Sequence, residues 1–284
     1  MEHETAAVDA DPLEKGDDVR AEVETLYRDG IVARRGAFSV AWVDDLAEDV
    51  EAAFREARSR PGGAVGRGPQ RWYVEVHPEQ LRGFVDLVTH PWVTAFSRAV
   101  LGPDYQVVEV GFDVPLPGAV NQPWHRDFAI PASARDDRRL TSLAFNLTLV
   151  DTTEDMGPFE IAPGTQWDDD PSFEHGMFPA RSWYPRYQGL AQRKLPRRGD
   201  VSARSALTIH RGTTNRSQRA RPVLILGVVS ADEGSVIEHG MAVTRDYWDA
   251  LPADVRDHLD CPVVDRLVPI TQRHSIEGLV MGSE

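Results

Sequence analysis

The sequence contains a single cysteine, Cys261, among 284 residues. An intramolecular disulfide and a thiolate-based zinc or iron–sulfur site each need more than one cysteine, so both are excluded. There is also no apolar run of about 18 residues, the length that a membrane-spanning helix requires. The N-terminus, MEHETAAVDADPLEKGDD, lacks the basic and apolar regions of a signal peptide. These absences predict a cytoplasmic protein with no membrane partner.

Positive charge is scarce as well. Lysine and arginine number 31 against 45 aspartates and glutamates, which leaves a formal net charge of -14. Nucleic acids and anionic membranes both require an electropositive protein face, so the acidic balance argues against either as a partner. One basic, glycine-rich span, RSRPGGAVGRGPQR at residues 58–71, is a local exception.

The remaining composition predicts one folded domain. Residues 1–18 are interpreted as an acidic flexible tail, and residues 19–284 as a single domain with a well-buried core. Apolar residues at three- and four-residue spacing predict helices at residues 19–30, 43–60, 91–102 and 244–260. Between residues 106 and 230 the period changes to two, which is typical of strands. The predicted class is therefore α+β, with a jelly-roll-like β core flanked by helices.

The clearest predicted strand is LTSLAFNLTLV, residues 140–150. Its alternation places four apolar side chains on one face, Leu143, Phe145, Leu147 and Leu149. The opposite face carries Ser142, Ala144, Asn146 and Thr148. Such a strand suits the wall of a barrel that holds a polar ligand.

The stretch NQPWHRDFAI, residues 121–130, sets His125 and Asp127 two positions apart. On a strand, residues i and i+2 project to the same face, and an imidazole with a carboxylate supplies two of the three ligands of a facial metal triad. His210, which we place at the end of a second β-patterned segment in ALTIHRGTTN, is the candidate third ligand. The alternative is that these are hydrogen-bonded structural residues.

A second pair with the same spacing, His258 and Asp260 in RDHLD, is rejected as a metal site. It lies in a helical pattern, where residues i and i+2 point to different sides of the helix.

Arg221 opens an apolar strand in HRGTTNRSQRARPVLILGVV. Its guanidinium can form a bidentate pair with a carboxylate, as a dicarboxylic co-substrate requires at its end remote from the metal. The alternative is that Arg221 joins Arg211, Arg216 and Arg219 in one solvated basic turn. We favour that alternative for those three residues and reject it for Arg221.

The segments WHRDF, NLTLVDTTEDMGPFEIAPGT and HRGTTNRSQRARPVL resemble the signature segments of the phytanoyl-CoA dioxygenase family of iron(II)/2-oxoglutarate oxygenases. The similarity in order and spacing extends over roughly residues 20–230. It implies the double-stranded β-helix fold, with His125, Asp127 and His210 as the iron ligands. It also implies that Arg221 holds the far carboxylate of 2-oxoglutarate.

The resemblance implies two further co-substrate contacts. Asn146 falls where the family places a side chain against 2-oxoglutarate, and Gln122 falls near it. The family often has a serine two residues after the second histidine, whereas this chain has Gly212. Thr213 or Thr214 is then the candidate replacement.

The implied reaction uses iron(II), 2-oxoglutarate and dioxygen to hydroxylate an unactivated C–H bond of a small metabolite or natural-product intermediate, with succinate and carbon dioxide as co-products. Desaturation or ring formation by the same chemistry is an alternative. A carboxylate at Asp127 disfavours halogenation, since related halogenases have a small residue there. Ectoine is disfavoured as a substrate, because the positions that grip it in the related ectoine hydroxylase are not matched. The acidic balance offers little support for a coenzyme A ester, although the basic span at residues 58–71 leaves it open.

Two other classes remain open, a zinc hydrolase and a non-catalytic barrel that binds a ligand. The zinc hydrolase leaves Arg221 and Asn146 without a role. Two loops are candidate lids over the site, the aromatic segment at residues 172–190 and the glycine-rich loop at residues 61–73. The sequence alone leaves the substrate and the oligomeric state open.

Overall fold

The computed structural model describes residues 17–235 and 237–273. Most of the predicted acidic tail therefore lies outside the described residues. The first helix begins at Asp17 and takes up the last two positions assigned to that tail.

Three long helices lie where the apolar spacing predicts them, together with five short ones. The helices are α1 Asp17–Asp29, α2 Val40–Ser59, α3 Phe84–Thr89, α4 Pro91–Leu101, α5 Ala132–Asp137, α6 Tyr184–Leu190, α7 Arg245–Ala250 and α8 Ala253–His258. None of the helices in residues 17–235 and 237–273 has the length and apolar content to cross a membrane.

The helix predicted over residues 244–260 is wrong as a single element. Leu251 leaves the helical region, with φ -67 and ψ 144, and separates α7 from α8. The cause is Pro252, because proline disfavours a helical conformation at the residue before it and lacks the N–H that would continue the helix.

The strands form two antiparallel sheets and one small parallel pair. They are β1 Ile31–Arg34, β2 Val65–Gly66, β3 Arg71–Glu75, β4 Gln106–Pro115, β5 Ser142–Thr148, β6 Phe159–Ile161, β7 Gln192–Lys194, β8 Val201–Ser205, β9 His210–Gly212, β10 Val223–Val229, β11 Val243–Thr244 and β12 Val263–Val264. The large sheet has the order β1-β8-β5-β10-β4-β3-β2, and the small sheet has the order β7-β6-β9. The glycine-rich loop predicted as a lid enters the large sheet as β2 and β3.

The two faces of β5 match the predicted alternation. The apolar face packs against the helices, and Phe145 meets Trp92 of α4 edge-on with ring centroids 5.8 Å apart. On the opposite face, Asn146 and Thr148 line a cavity together with residues of the small sheet. The combination of helices with antiparallel sheets agrees with the predicted α+β class.

Candidate metal centre and its two cavities

The structure brings His125, Asp127 and His210 together. One ligand atom from each lies within 4.8 Å of the others. The two histidines exchange backbone hydrogen bonds of 3.0 and 2.8 Å, and the Asp127 amide donates to the Ala206 carbonyl at 3.0 Å. The local setting differs from the prediction, because His125 lies in an isolated bridge, Asp127 lies in a bend, and His210 begins β9 rather than ending a strand.

Both imidazoles are oriented by carbonyl oxygens. His125 Nδ1 lies 2.9 Å from the Pro123 oxygen, and His210 Nδ1 lies 2.9 Å from the Thr208 oxygen. A carbonyl only accepts, so each Nδ1 carries the proton and each Nε2 keeps its lone pair. Burial lowers the pKa of His125 to about 4 and, with the nearby Arg204, holds the pKa of His210 well below its usual value. Both rings are therefore neutral at pH 7, as metal ligation requires.

The Asp127 carboxylate is paired with Arg204 of β8. Two hydrogen bonds of 2.5 and 3.2 Å join them, and His210 Nε2 lies 3.5 Å from the same carboxylate. Burial alone would raise the pKa of Asp127, but Arg204 and His210 lower it well below its usual value, so the group stays ionised. Arg204 was not predicted from the sequence. The available signal was the alternation in VSARS, residues 201–205, which places Arg204 on the same strand face as Ser202.

Two cavities meet at this cluster, and His125, Asp127 and Arg204 line both. The first, which we call the basic cavity, has a volume of about 390 Å³. Its polar lining includes Arg67, Arg71, Arg221, Gln122 and Asn146. The second, which we call the larger cavity, has a volume of about 500 Å³ and extends to the β3 and β4 side of the large sheet.

Arg221 is buried in the wall of the basic cavity, with 5% of its surface exposed. Its Nε donates to the Gly157 carbonyl at 3.1 Å, and no described carboxylate lies within ion-pair distance of it. Burial and the neighbouring Arg71 lower its pKa to about 10, so the guanidinium remains charged at pH 7. A buried charge without a counter-charge is costly, and a bound anion would remove that cost.

Two of the three other predicted co-substrate residues reach the basic cavity. Asn146 projects from the polar face of β5, and Gln122 accepts a hydrogen bond of 2.9 Å from the Gly212 amide. Thr213 is not brought there, because its hydroxyl donates to the Pro158 carbonyl at 2.6 Å. The alternative, Thr214, donates to Asn121 instead, at 3.0 Å.

The space beside Gly212 is taken by Arg71, a residue that the sequence analysis placed only in a basic span. A Cβ at Gly212 would lie 2.1 Å from Arg71 Nη1, so glycine is needed for the guanidinium to lie there. Arg71 is paired with Asp113 at 3.0 Å and is 2% exposed. Asp113 therefore neutralises Arg71, whereas Arg221 in the same cavity has no paired carboxylate among the described residues.

The basic turn after His210 differs from the prediction at one position. Arg211 is buried rather than solvated, since its Nε donates to Glu160 at 2.8 Å and its guanidinium lies 4.4 Å from the Trp124 ring. Arg216 and Arg219 are exposed, as predicted.

The aromatic segment at residues 172–190 is mainly a packed cover. Phe173 and Tyr187 form a small second core with Trp124, separate from the main core. Only Met177 and Phe178 of this segment line the larger cavity, and the Phe178 ring lies 5.9 Å from that of His125.

The pair His258 and Asp260, which the sequence analysis rejects as a metal site, lies outside the candidate metal centre. The His258 ring stacks on Tyr105 at 4.0 Å, and its Nδ1 donates to the Tyr105 carbonyl at 2.7 Å. It is not part of the metal-competent group found among the described residues.

Solved structures of similar fold include two proteins from nogalamycin biosynthesis. The epimerase SnoN, in complex with Fe3+, alpha ketoglutarate and nogalamycin RO, is 19% identical with a TM-score of 0.61, over 75% of this chain and 84% of that one. The alpha ketoglutarate dependent carbocyclase SnoK is 20% identical with a TM-score of 0.59, over the same shares. At this identity the likeness shows a common fold. No match is found among curated proteins.

The sequence itself matches the model of one family, phytanoyl-CoA dioxygenase (PhyH), over residues 26–223. The match spans well over half of the chain and includes all three residues of the candidate metal centre as well as Arg221. The protein belongs to the phytanoyl-CoA dioxygenase family.

Proposed function

We propose that this protein is an iron(II)/2-oxoglutarate-dependent oxygenase that hydroxylates an unactivated C–H bond of a small metabolite or natural-product intermediate. The observation that carries the proposal is the unneutralised, buried Arg221 in a cavity that also contains His125, Asp127 and His210. The candidate metal ligands and the candidate anion site thus line the same cavity, as is required for a dicarboxylate that chelates the metal at one end. We also infer that the large and small sheets correspond to the double-stranded β-helix of the family.

The donor set fits iron(II). Two neutral imidazoles and one carboxylate on one side of a metal leave adjacent positions open for other ligands. When bound there, iron(II) supplies the centre at which 2-oxoglutarate and dioxygen react, giving succinate, carbon dioxide and the oxidising equivalents for the substrate. His125 and His210 would bind it through Nε2, and Asp127 through a carboxylate oxygen.

The protein's own residues position the reactants. Arg221 holds the far carboxylate of 2-oxoglutarate, and Asn146 and Gln122 lie along the wall of the same cavity. The larger cavity holds the substrate beside the metal, where Phe178 covers His125. No general base is needed, so the main task of the chain is to fix geometry and to aim one C–H bond.

Ring formation is the second candidate, together with desaturation. It is favoured by the fold shared with SnoK, which is described as a carbocyclase, while SnoN is described as an epimerase. Mass spectrometry of the product distinguishes the outcomes, because hydroxylation adds one oxygen, desaturation or ring closure removes two hydrogens, and epimerisation leaves the mass unchanged.

The wild-type protein is expected to develop a weak visible absorption band when iron(II) and 2-oxoglutarate are added without oxygen. A bidentate keto acid on a redox-active metal produces such a charge-transfer band, whereas zinc has a filled d shell and does not. Admitting air should then form succinate slowly without substrate. Zinc in place of iron is the control. Absence of both the band and succinate across a broad substrate panel would overturn the proposal in favour of a binding role.

Arg204→Met is expected to weaken iron(II) binding by about 10–100-fold, because Asp127 would lose the partner that orients its carboxylate. Arg204→Lys should restore part of the affinity, since it keeps the charge but not the bidentate geometry. The matched control is Arg139→Met, which breaks a surface pair with Asp232 at 2.7 Å. Competition with a chromophoric chelator measures the affinity, and equal losses in Arg204→Met and Arg139→Met would contradict the assigned role.

A further inference from the structure

Four residues form one row across four adjacent strands of the large sheet. Arg204 of β8 pairs with Ala144 of β5, Ala144 pairs with Gly227 of β10, and Gly227 pairs with Glu109 of β4. Directly opposed residues share a face, and neighbouring strands lie about 4.8 Å apart, so the two ends of this row are roughly 14 Å apart. The metal cluster lies at the Arg204 end, through Asp127.

The middle of the row is almost free of side chains. Ala144 and Gly227 form the floor of a trough, and all four residues of the row line the larger cavity. A Cβ at Gly227 would lie 2.7 Å from Glu109 Oε2 and 2.8 Å from Glu109 Cβ. The Glu109 side chain therefore folds over Gly227, towards the metal end, and only glycine leaves room for it.

Glu109 presents one carboxylate oxygen to this trough. Its Oε1 accepts a hydrogen bond from the Tyr73 hydroxyl. Burial and the nearby Glu109 hold the pKa of Tyr73 well above its usual value, so the phenol remains a donor. Oε2 receives no hydrogen bond from any described residue, and no described cationic nitrogen lies within 4.0 Å of the carboxylate.

The other acid at this end, Glu75, is already used by the protein. Its Oε1 accepts from the amides of Gly240 and Met241 at 2.9 and 3.1 Å, and His239 Nδ1 lies 3.6 Å away. Glu75 therefore holds a loop over the cavity. Glu238 is exposed at the rim, so Glu109 is the carboxylate inside the trough that is available to a ligand.

The basic side chains of the larger cavity are directed elsewhere. Arg204 pairs with Asp127, Arg67 lies over the Tyr73 ring at 4.1 Å, and Arg126 donates to the Asp168 carbonyl beneath the aromatic segment. Arg266 and Arg273 are exposed at the rim. His239 is the nearest titratable base: burial lowers its pKa, but the contact with Glu75 and the charge of Glu109 raise it above its usual value. It lies within ion-pair distance of Glu75 and not of Glu109, so no described base forms an ion pair with Glu109.

We infer that the larger cavity takes a substrate that carries a protonated amine, with its nitrogen held by Glu109 and a C–H bond presented at the metal end of the trough. This inference rests on the proposed function. An ammonium group supplies both the missing counter-charge and a hydrogen bond, whereas a hydroxyl supplies only the bond. The two cavities would then select ligands of opposite charge. The basic cavity would bind the 2-oxoglutarate dianion at Arg221, and the larger cavity would bind the ammonium group at Glu109.

The test compares size-matched amines and alcohols by anaerobic calorimetry on the full-length protein loaded with iron(II) and 2-oxoglutarate. The pairs are tryptamine and tryptophol, glucosamine and glucose, and cyclohexylmethylamine and cyclohexylmethanol. In at least one pair the amine is expected to bind at least about tenfold more tightly. Glu109→Gln should reduce that ratio to about twofold or less, and Glu238→Gln, which removes an exposed acid at the rim of the same cavity, should preserve it.

Amines that bind no more tightly than their alcohols in every pair, or that show no binding at about 10 mM, would overturn the inference. So would an unchanged ratio in folded Glu109→Gln. If that variant does not fold, the wild-type ratio decides alone. The proposed function is tested separately, by the charge-transfer band and by succinate formation. If the protein shows both but no amine preference, the proposed function stands and only this inference fails.

Discussion

Replacing His125, Asp127 or His210 singly with alanine is expected to lower iron-dependent turnover of 2-oxoglutarate by at least about a hundredfold. Each change removes one of three donors, and a change even to a residue that only supports a ligand typically costs 10–100-fold. The fold should persist, because the neighbouring strands are held by the apolar face of the large sheet. Succinate formation, bound iron and thermal melting are the measurements.

The matched control for the metal ligands is His258→Ala. His258 has the same two-residue spacing to an aspartate, but it stacks on Tyr105 outside the candidate cluster. Its removal should leave iron content and turnover near the wild-type values. Near-normal turnover in any one of the three ligand variants would remove that residue from the metal site.

Replacing Arg221 with alanine is expected to raise the KM for 2-oxoglutarate by at least about tenfold. The far carboxylate would lose a charge-assisted bidentate contact, which contributes on the order of 1.5–3 kcal/mol. Because Arg71 is paired with Asp113 at 3.0 Å, it does not offer a free replacement. Steady-state succinate formation over a range of 2-oxoglutarate concentrations measures the effect.

Two variants check this assignment. Arg219→Ala removes an exposed arginine two positions away and should leave the KM unchanged. Arg221→Lys should recover part of the loss, since lysine keeps the charge but not the planar fork. The opposite pattern, with a large effect at Arg219 and none at Arg221, would mean that the wrong arginine has been assigned.

Much of the fold follows from local patterns. The helices at residues 17–29, 40–59 and 91–101 obey apolar spacing and end signals that act within one or two turns, including Ser39 as N-cap and Gly102 as terminator. The alternation in β5 likewise shows which face is buried. The helix predicted across Pro252 is wrong because a local rule against helical geometry before proline outweighs the apolar spacing on either side.

The residues missed in the candidate site share one property. Arg71, Arg204 and Glu109 lie on three different strands. The role of each depends on its contact with a residue of another strand or loop that is distant in the sequence. From the sequence, a charged residue in a strand pattern is predicted to face solvent, and the strand order is needed to show that it is buried. The same reasoning explains Arg211, which pairs with Glu160 only because β9 lies beside β6.

The sequence by itself determined the candidate metal ligands, the candidate anion partner Arg221 and the polar face that carries Asn146, because these depend on side-chain chemistry and short-range periodicity. Only the tertiary structure decided that Arg204 pairs with Asp127, that Arg71 fills the space a side chain at position 212 would need, and that Glu109 lies across a floor of Ala144 and Gly227 from the candidate metal ligands. The physical reason is register. Pairing of strands distant in the chain sets which side chains meet, and a shift of one residue would turn each of them to the other face of the sheet.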